Sequence, residues 1–150
     1  MQKLRFGGNT IKAIILLFLF IGTIEAKQTY GSVIVDAVVS IYDGDTFRVN
    51  INSYPPIIGK NMSIRLNGVD TPEMRGKCQT EKLLARKAKQ LTVSKLRSAK
   101  VVELRNIQKG KYFRIVADVY LDNISLATVL IENNLAVYYD GGKKIKDWCE

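Results

Sequence analysis

Short stretches of alternating or continuous apolar residues fill the first half of the chain, and each reads as a β-strand. Ser32-Val33-Ile34-Val35 and Ala37-Val38-Val39 supply β-branched residues, and Asp43-Gly44-Asp45 supplies a turn. Thr46 to Ile51 alternates as the second strand, Tyr54-Pro55-Pro56 through Lys60 interrupts it, and Met62 to Leu66 resumes as a third, ending at Asn67-Gly68. From Thr80 to about Arg97 the period changes. Leu83, Leu84, Lys87, Ala88, Leu91 and Leu96 recur near helical spacing, with Glu81, Lys82, Arg86, Lys89 and Lys95 opposite, which predicts an amphipathic helix. Lys100 to Asn106 and Phe113 to Leu121 read as strands joined by a polar turn at Gln108-Lys109-Gly110-Lys111. Ser125 to Asn133 reads as a short helix with Ser125 as its N-cap, and Leu135 to Tyr138 as a short final strand. The order βββ-α-ββ-α predicts an α+β, mostly β domain. Its expected form is a small five-stranded barrel with two helices, of which the OB-fold is one example.

The first 26 residues stand apart from this pattern. Lys3, Arg5 and Lys12 precede an unbroken apolar run from Ala13 to Ile21, and Gly22-Thr23-Ile24-Glu25-Ala26 follows with small residues. The run is shorter than the roughly 20 residues that span a bilayer, so a signal peptide cleaved after Ala26 is expected, with an uncleaved anchor as the alternative. A secreted, periplasmic or envelope location follows from the first reading, and membrane anchorage from the second. Residues 27–150 are then one domain, because the chain has 150 residues and is too short to bury two cores.

Charge and composition narrow the chemistry. Lys and Arg number 23 against 14 Asp and Glu, a formal +9, which suits a polyanionic partner such as DNA or RNA. There is no histidine. That absence excludes Ser/His/Asp and Cys/His nucleophile systems and imidazole-based zinc sites. Hydrolysis on this chain must use carboxylates, arginines, lysines, tyrosines or a metal. Cys78 and Cys149 lie far apart with no CxxC pattern; in an oxidising compartment they are expected to bridge, and in a reducing one to remain thiols.

Two acidic segments carry the candidate site: Asp43-Gly44-Asp45-Thr46 and Arg65-Leu66-Asn67-Gly68-Val69-Asp70-Thr71-Pro72-Glu73. A hairpin centred on the Pro55-Pro56 region places Asp45 opposite Gly68, with Asp70 about 7 Å further along the strand. Asp45, Asp70 and the Thr71 carbonyl then lie within reach of one ion. A set of carboxylates, carbonyls and water suits a hard cation such as Ca²⁺ or Mg²⁺. Glu73 is the candidate general base. Each segment alone also fits a plain reading, an ordinary turn for the first and a helix start for the second. Arg65 is either a solvated strand residue or a guanidinium clamp on a phosphate, and Arg114 carries the same two readings. Tyr112 is a surface or core tyrosine, or a face for base stacking.

Asp-Gly-Asp-Thr, then Arg-Leu-x-x-Val-Asp-Thr-Pro-Glu, a helix, and Lys-Tyr-x-Arg together resemble the staphylococcal nuclease (thermonuclease) family, from about Tyr30 to Tyr138. The resemblance implies an OB-fold barrel, dependence on Ca²⁺, and cleavage of DNA and RNA at the 5′ P–O bond to leave 3′-phosphates. It implies that Asp45, Asp70 and the Thr71 carbonyl hold calcium and that Glu73 acts on the attacking water. It also implies that Arg65 and Arg114 brace the phosphate and that Tyr112 lines the nucleotide pocket; a monomer is the default expectation. Two departures stand out. Phe113 occupies the place of a glycine usual before the last arginine, which puts the position of Arg114 in question. No long C-terminal helix like that of familiar members is expected between the second helix and Glu150, and a Cys78–Cys149 bridge is expected to tie down this shorter stretch in its place.

Overall fold

A computed structural model describes residues 27–150; the expected signal segment lies outside the described residues. The chain order is β1 (Val33–Ile34), β2 (Ala37–Ile41), β3 (Thr46–Asn50), α1 (Pro56–Gly59), β4 (Met62–Leu66), β5 (Val69–Asp70), α2 (Gln79–Ser98), β6 (Val102–Lys109), β7 (Ile115–Leu121), β8 (Ile124–Ser125), α3 (Leu126–Glu132) and β9 (Val137–Tyr138). The main sheet runs β1-β6-β7-β4-β3-β2, with β8 on β7, while β5 and β9 form a separate pair. All its pairings are antiparallel except β4 with β7.

β2, β3, β4, β6 and β7 each have five or more residues, and they are the five strands expected from alternation. The other four strands have two residues each: β1 lies within the expected Ser32–Val35 stretch and β9 within the expected Leu135–Tyr138 strand, while β5 and β8 are too short to leave a periodic signal. The one-turn α1 is also additional, so the described residues carry three helices where two were expected. Pro56 stands in its first turn, where a missing N–H costs nothing. The sheet curls into a partly open barrel because the first strand changes partner. Val35 N–H donates to Val102 O at 2.9 Å on β6, and the next residue, Asp36, donates to Asn50 O at 2.9 Å beside β3.

The alternation explains the core. Phe47 and Val49 of β3 and Met62, Ile64 and Leu66 of β4 point inward and are buried, joined by Leu104, Ala117 and Val119 from β6 and β7. α3 closes one end with the fully buried Leu126 and Leu130; Ser125 caps it by accepting from Thr128 N–H. α2 buries Ala85, Ala88, Thr92 and Leu96 with the first-turn Glu81. Of the expected contact face, Ala88 and Leu96 are buried and Leu84 and Leu91 pack against the core, whereas Leu83 is exposed and the small Ala85 and Thr92 complete the stripe. Small side chains let the helix backbone lie close against the Asp43–Asp45 turn, and that approach decides the geometry of the site.

Candidate functional site

The Asp43–Asp45 turn is built by its own side chains. Asp43 Oδ1 accepts from the Asp45 and Thr46 backbone N–H groups at 3.1 and 2.8 Å. Thr92 of α2 donates its hydroxyl to Gly44 O at 2.7 Å and pins the turn from behind. A Cβ on Gly44 would stand 2.8 Å from the Ala88 Cβ, so glycine is required for this approach. Burial, and then the neighbouring Asp45 charge, push the Asp43 carboxyl up to about 7.

Asp45 is fully buried and accepts from the Thr46 hydroxyl at 2.9 Å, from the Thr71 hydroxyl at 2.9 Å, and from the Arg65 guanidinium. The pairing of β3 with β4 sets Thr46 opposite Arg65, and Leu66 N–H donates to Asp45 O at 2.8 Å. Asp45 therefore faces Leu66 rather than Gly68, because the hairpin midpoint falls between Pro55 and Pro56, one residue earlier than expected. Asp70 reaches the site because the chain turns at Asn67-Gly68, with Gly68 at φ +77°, instead of continuing along the strand. There Asp70 Oδ1 lies 3.8 Å from the Arg65 guanidinium, so both aspartates share one cation.

Arg65 is not a solvated strand residue: its side chain is 15% exposed, held by the two aspartates and by the Val69 carbonyl at 3.3 Å. Glu73, half exposed, pairs with Lys144 Nζ at 2.5 Å. The same ammonium lies 2.6 Å from Asp70 Oδ1, an oxygen that otherwise accepts no aligned hydrogen bond. Partial burial disfavours the Lys144 charge, but its hydrogen bonds to Asp70 and Glu73 outweigh that and hold the ammonium above its ordinary value.

A cavity of about 340 Å³ gathers Tyr42, Asp43, Thr46, Arg65, Glu73, Arg114, Tyr139 and Lys144 around one opening. Arg114 thus reaches the same mouth as Arg65 despite Phe113 before it. The backbone accommodates the bulky residue by placing both Tyr112 and Phe113 in the left-handed region, at φ 56° and 54°. Arg114 Nε is buried there with no partner. Tyr112 is not part of that lining; it stands 91% exposed on the β6–β7 turn.

The expected Cys78–Cys149 pair is a disulfide, with Cα atoms 5.9 Å apart. It holds the tail across the site, where buried Trp148 sets Nε1 3.5 Å from Asp70 Oδ2. Lys144 and Trp148 carried no signal in the sequence, since Gly-Gly-Lys-Lys reads as a solvated run. Glu81 was also missed. Expected on the solvated face of the helix, it is buried instead and accepts from the Glu73 and Lys77 backbone N–H groups at 3.3 and 2.8 Å, shaping the loop that presents Glu73.

The donor set fits a hard cation. Asp45, Asp70 and Thr71 offer only oxygen, and the Asp70 Oδ1 lone pairs face cationic groups alone. An OB-type barrel that converges buried carboxylates and arginines on one opening defines a nuclease-like or nucleic-acid-binding module. The staphylococcal nuclease homologue family matches residues 63–147, more than half of the chain, and the chain belongs to that family. The match includes Arg65, Asp70, Thr71, Glu73, Tyr112 and Arg114 and begins after Asp45. A comparison with curated proteins gives no match.

Proposed function

We propose that the chain is a secreted, calcium-dependent nuclease that hydrolyses phosphodiester bonds of DNA and RNA, breaking the 5′ P–O bond and leaving 3′-phosphates. Residues 27–150 form its working domain, a monomer, once residues 1–26 have served as a signal peptide. The observation that supports the reading is one cavity lined by Arg65, Arg114 and Glu73, with Asp45 and Asp70 paired to the Arg65 guanidinium.

Asp45, Asp70 and the Thr71 carbonyl are the groups that would hold calcium, which supplies charge stabilisation to the phosphoryl oxygens. Hydrolysis adds negative charge to those oxygens, and the Arg65 and Arg114 guanidiniums oppose it in a partly dehydrated cavity. To meet a phosphate, Arg65 gives up part of its hold on the aspartates. Glu73, at the rim, takes or orients the proton of the attacking water. Tyr112, exposed beside Arg114, offers a stacking face to a base of the bound strand.

The full pairing of Asp45, Asp70 and Glu73 with Arg65 and Lys144 favours a second reading, a nucleic-acid-binding module without catalysis. Digestion of single-stranded DNA and of RNA, with calcium or with EGTA, separates the two. Cleavage is expected with calcium only, and Glu73→Gln is expected to slow it by about 100-fold or more. Cleavage that persists in chelator would refute the calcium scheme, while binding without cleavage in calcium would favour the second reading.

A further inference from the structure

The acidic site brings its own cation. Lys144 Nζ sits 2.6 Å from Asp70 Oδ1 and 2.5 Å from Glu73 Oε1, within the tail that the Cys78–Cys149 disulfide fastens to the start of α2. The two carboxylates belong to the β5 end of the sheet and the loop after it, more than 70 residues earlier. Nothing in the local sequence brings Lys144 to them. On the approach side, Tyr139 OH donates to Gly142 O at 2.7 Å and Gly142 N–H to Asp140 Oδ1 at 2.8 Å, which shape the bend before Lys144. On the far side Trp148 is buried over Asp70. The backbone on both sides of Lys144 is therefore fastened, while its side chain is 42% exposed, so that its two ion pairs can open towards solvent.

A calcium ion takes carboxylate oxygens at about 2.3–2.6 Å. An ammonium already 2.6 Å from Asp70 Oδ1 takes one lone pair of that oxygen and repels a second cation brought to the same carboxylate, so the two cations compete there. Because Lys144 is tethered, it competes at the high effective concentration of an intramolecular group. The displaced ammonium stays beside the same cavity as Arg65 and Arg114, where a phosphate gives it a new partner. We propose that Lys144 is a tethered counter-ion, displaced from Asp70 and Glu73 by the divalent cation and received by the substrate phosphate, so that cation and nucleic acid bind cooperatively. This rests on the cation site proposed above.

The test is calorimetric titration of the oxidised, full-length protein with calcium, alone and with a short phosphorothioate-linked oligonucleotide as probe. Lys144→Met is expected to bind calcium about tenfold tighter than wild type without the oligonucleotide. The oligonucleotide should tighten calcium binding to wild type and do so less in Lys144→Met. Lys144→Arg, which keeps a charge, should stay as weak as wild type, and Lys143→Met should match wild type throughout. Equal calcium affinity in wild type and Lys144→Met would overturn the role given to Lys144 and leave the cation site standing. Absence of calcium binding in every variant would overturn the cation site as well.

Discussion

The Cys78–Cys149 bridge joins residues 71 positions apart and so constrains most of the unfolded domain. In the chain-entropy model, closing a loop of that length removes about 15 cal/mol/K, or about 4 kcal/mol at 25 °C. With an unfolding entropy of roughly 2.1 cal/mol/K per residue, a domain of this size should lose about 15 °C in Tm without the bridge. The perturbation is the double variant Cys78→Ser/Cys149→Ser. Cys78 is also the N-cap of α2, its Sγ accepting from Glu81 N–H at 3.3 Å. Serine keeps a capping oxygen at that position, so the measured difference reports the cross-link rather than a lost cap. Circular dichroism melts give the Tm. Urea titrations add an independent sign, because the uncrosslinked denatured chain exposes more surface and the m-value should rise. A fall in Tm under about 3 °C, with an unchanged m-value, would refute the reasoning. The tail would then be held by Trp148 and Lys144 contacts, with the bridge restricting little in the unfolded chain.

Two other outcomes follow from close contacts and caps. Gly44→Ala should push the Asp45 turn off α2, since the new Cβ would meet the Ala88 Cβ at 2.8 Å; a loss of about 1–3 kcal/mol in urea unfolding is expected, with recovery in Gly44→Ala/Ala88→Gly. No recovery in the double variant would show that the helix does not set the turn. Asp122 accepts from Lys100 N–H and Val101 N–H, and these bonds hold its carboxyl below the ordinary value. A lowered folded-state pKa contributes stability above the unfolded value and loses it as pH falls through the folded one. Asp122→Asn, which tolerates the left-handed φ of 49° at this position, should therefore lower Tm at neutral pH, and the gap to wild type should narrow as pH drops below 3.8. A gap that stays constant as pH falls would contradict that linkage.

Strands with a buried and an open face were readable, because alternation records that difference directly. Met62–Leu66 was bounded correctly, and Thr46–Asn50 to within a residue. The α2 helix was legible from its length. Its buried stripe was legible in part: Ala88 and Leu96 are buried and Leu84 and Leu91 pack against the core, whereas Ala85 and Thr92 contribute closeness rather than hydrophobicity and gave no signal, and Leu83 is exposed. The two-residue strand β5 has too few positions to show a period, whereas its partner β9 falls within the expected Leu135–Tyr138 strand. The carboxylates and arginines were legible as motifs with a known order. Their distances were not: the expected register missed by two positions, and the turn at Gly68, not strand continuation, brings Asp70 in. Lys144 and Trp148 join the site only through the distant bridge, so no local pattern could announce them.

The exchange of partners at Val35 and Asp36 bears on how the molecule assembles. A strand that binds β3 with one half and β6 with the other cannot finish its pairing until β6 exists, some 65 residues later in the chain. The hairpin of β6 and β7 forms from near neighbours, whereas the seam through Val33 and Ile34 waits for the longest loop in the sheet. The seam is consequently the last part of the wall to knit and the first to open. Protection against amide exchange at Val35 should fall below that at Val119, though both lie within the same continuous sheet.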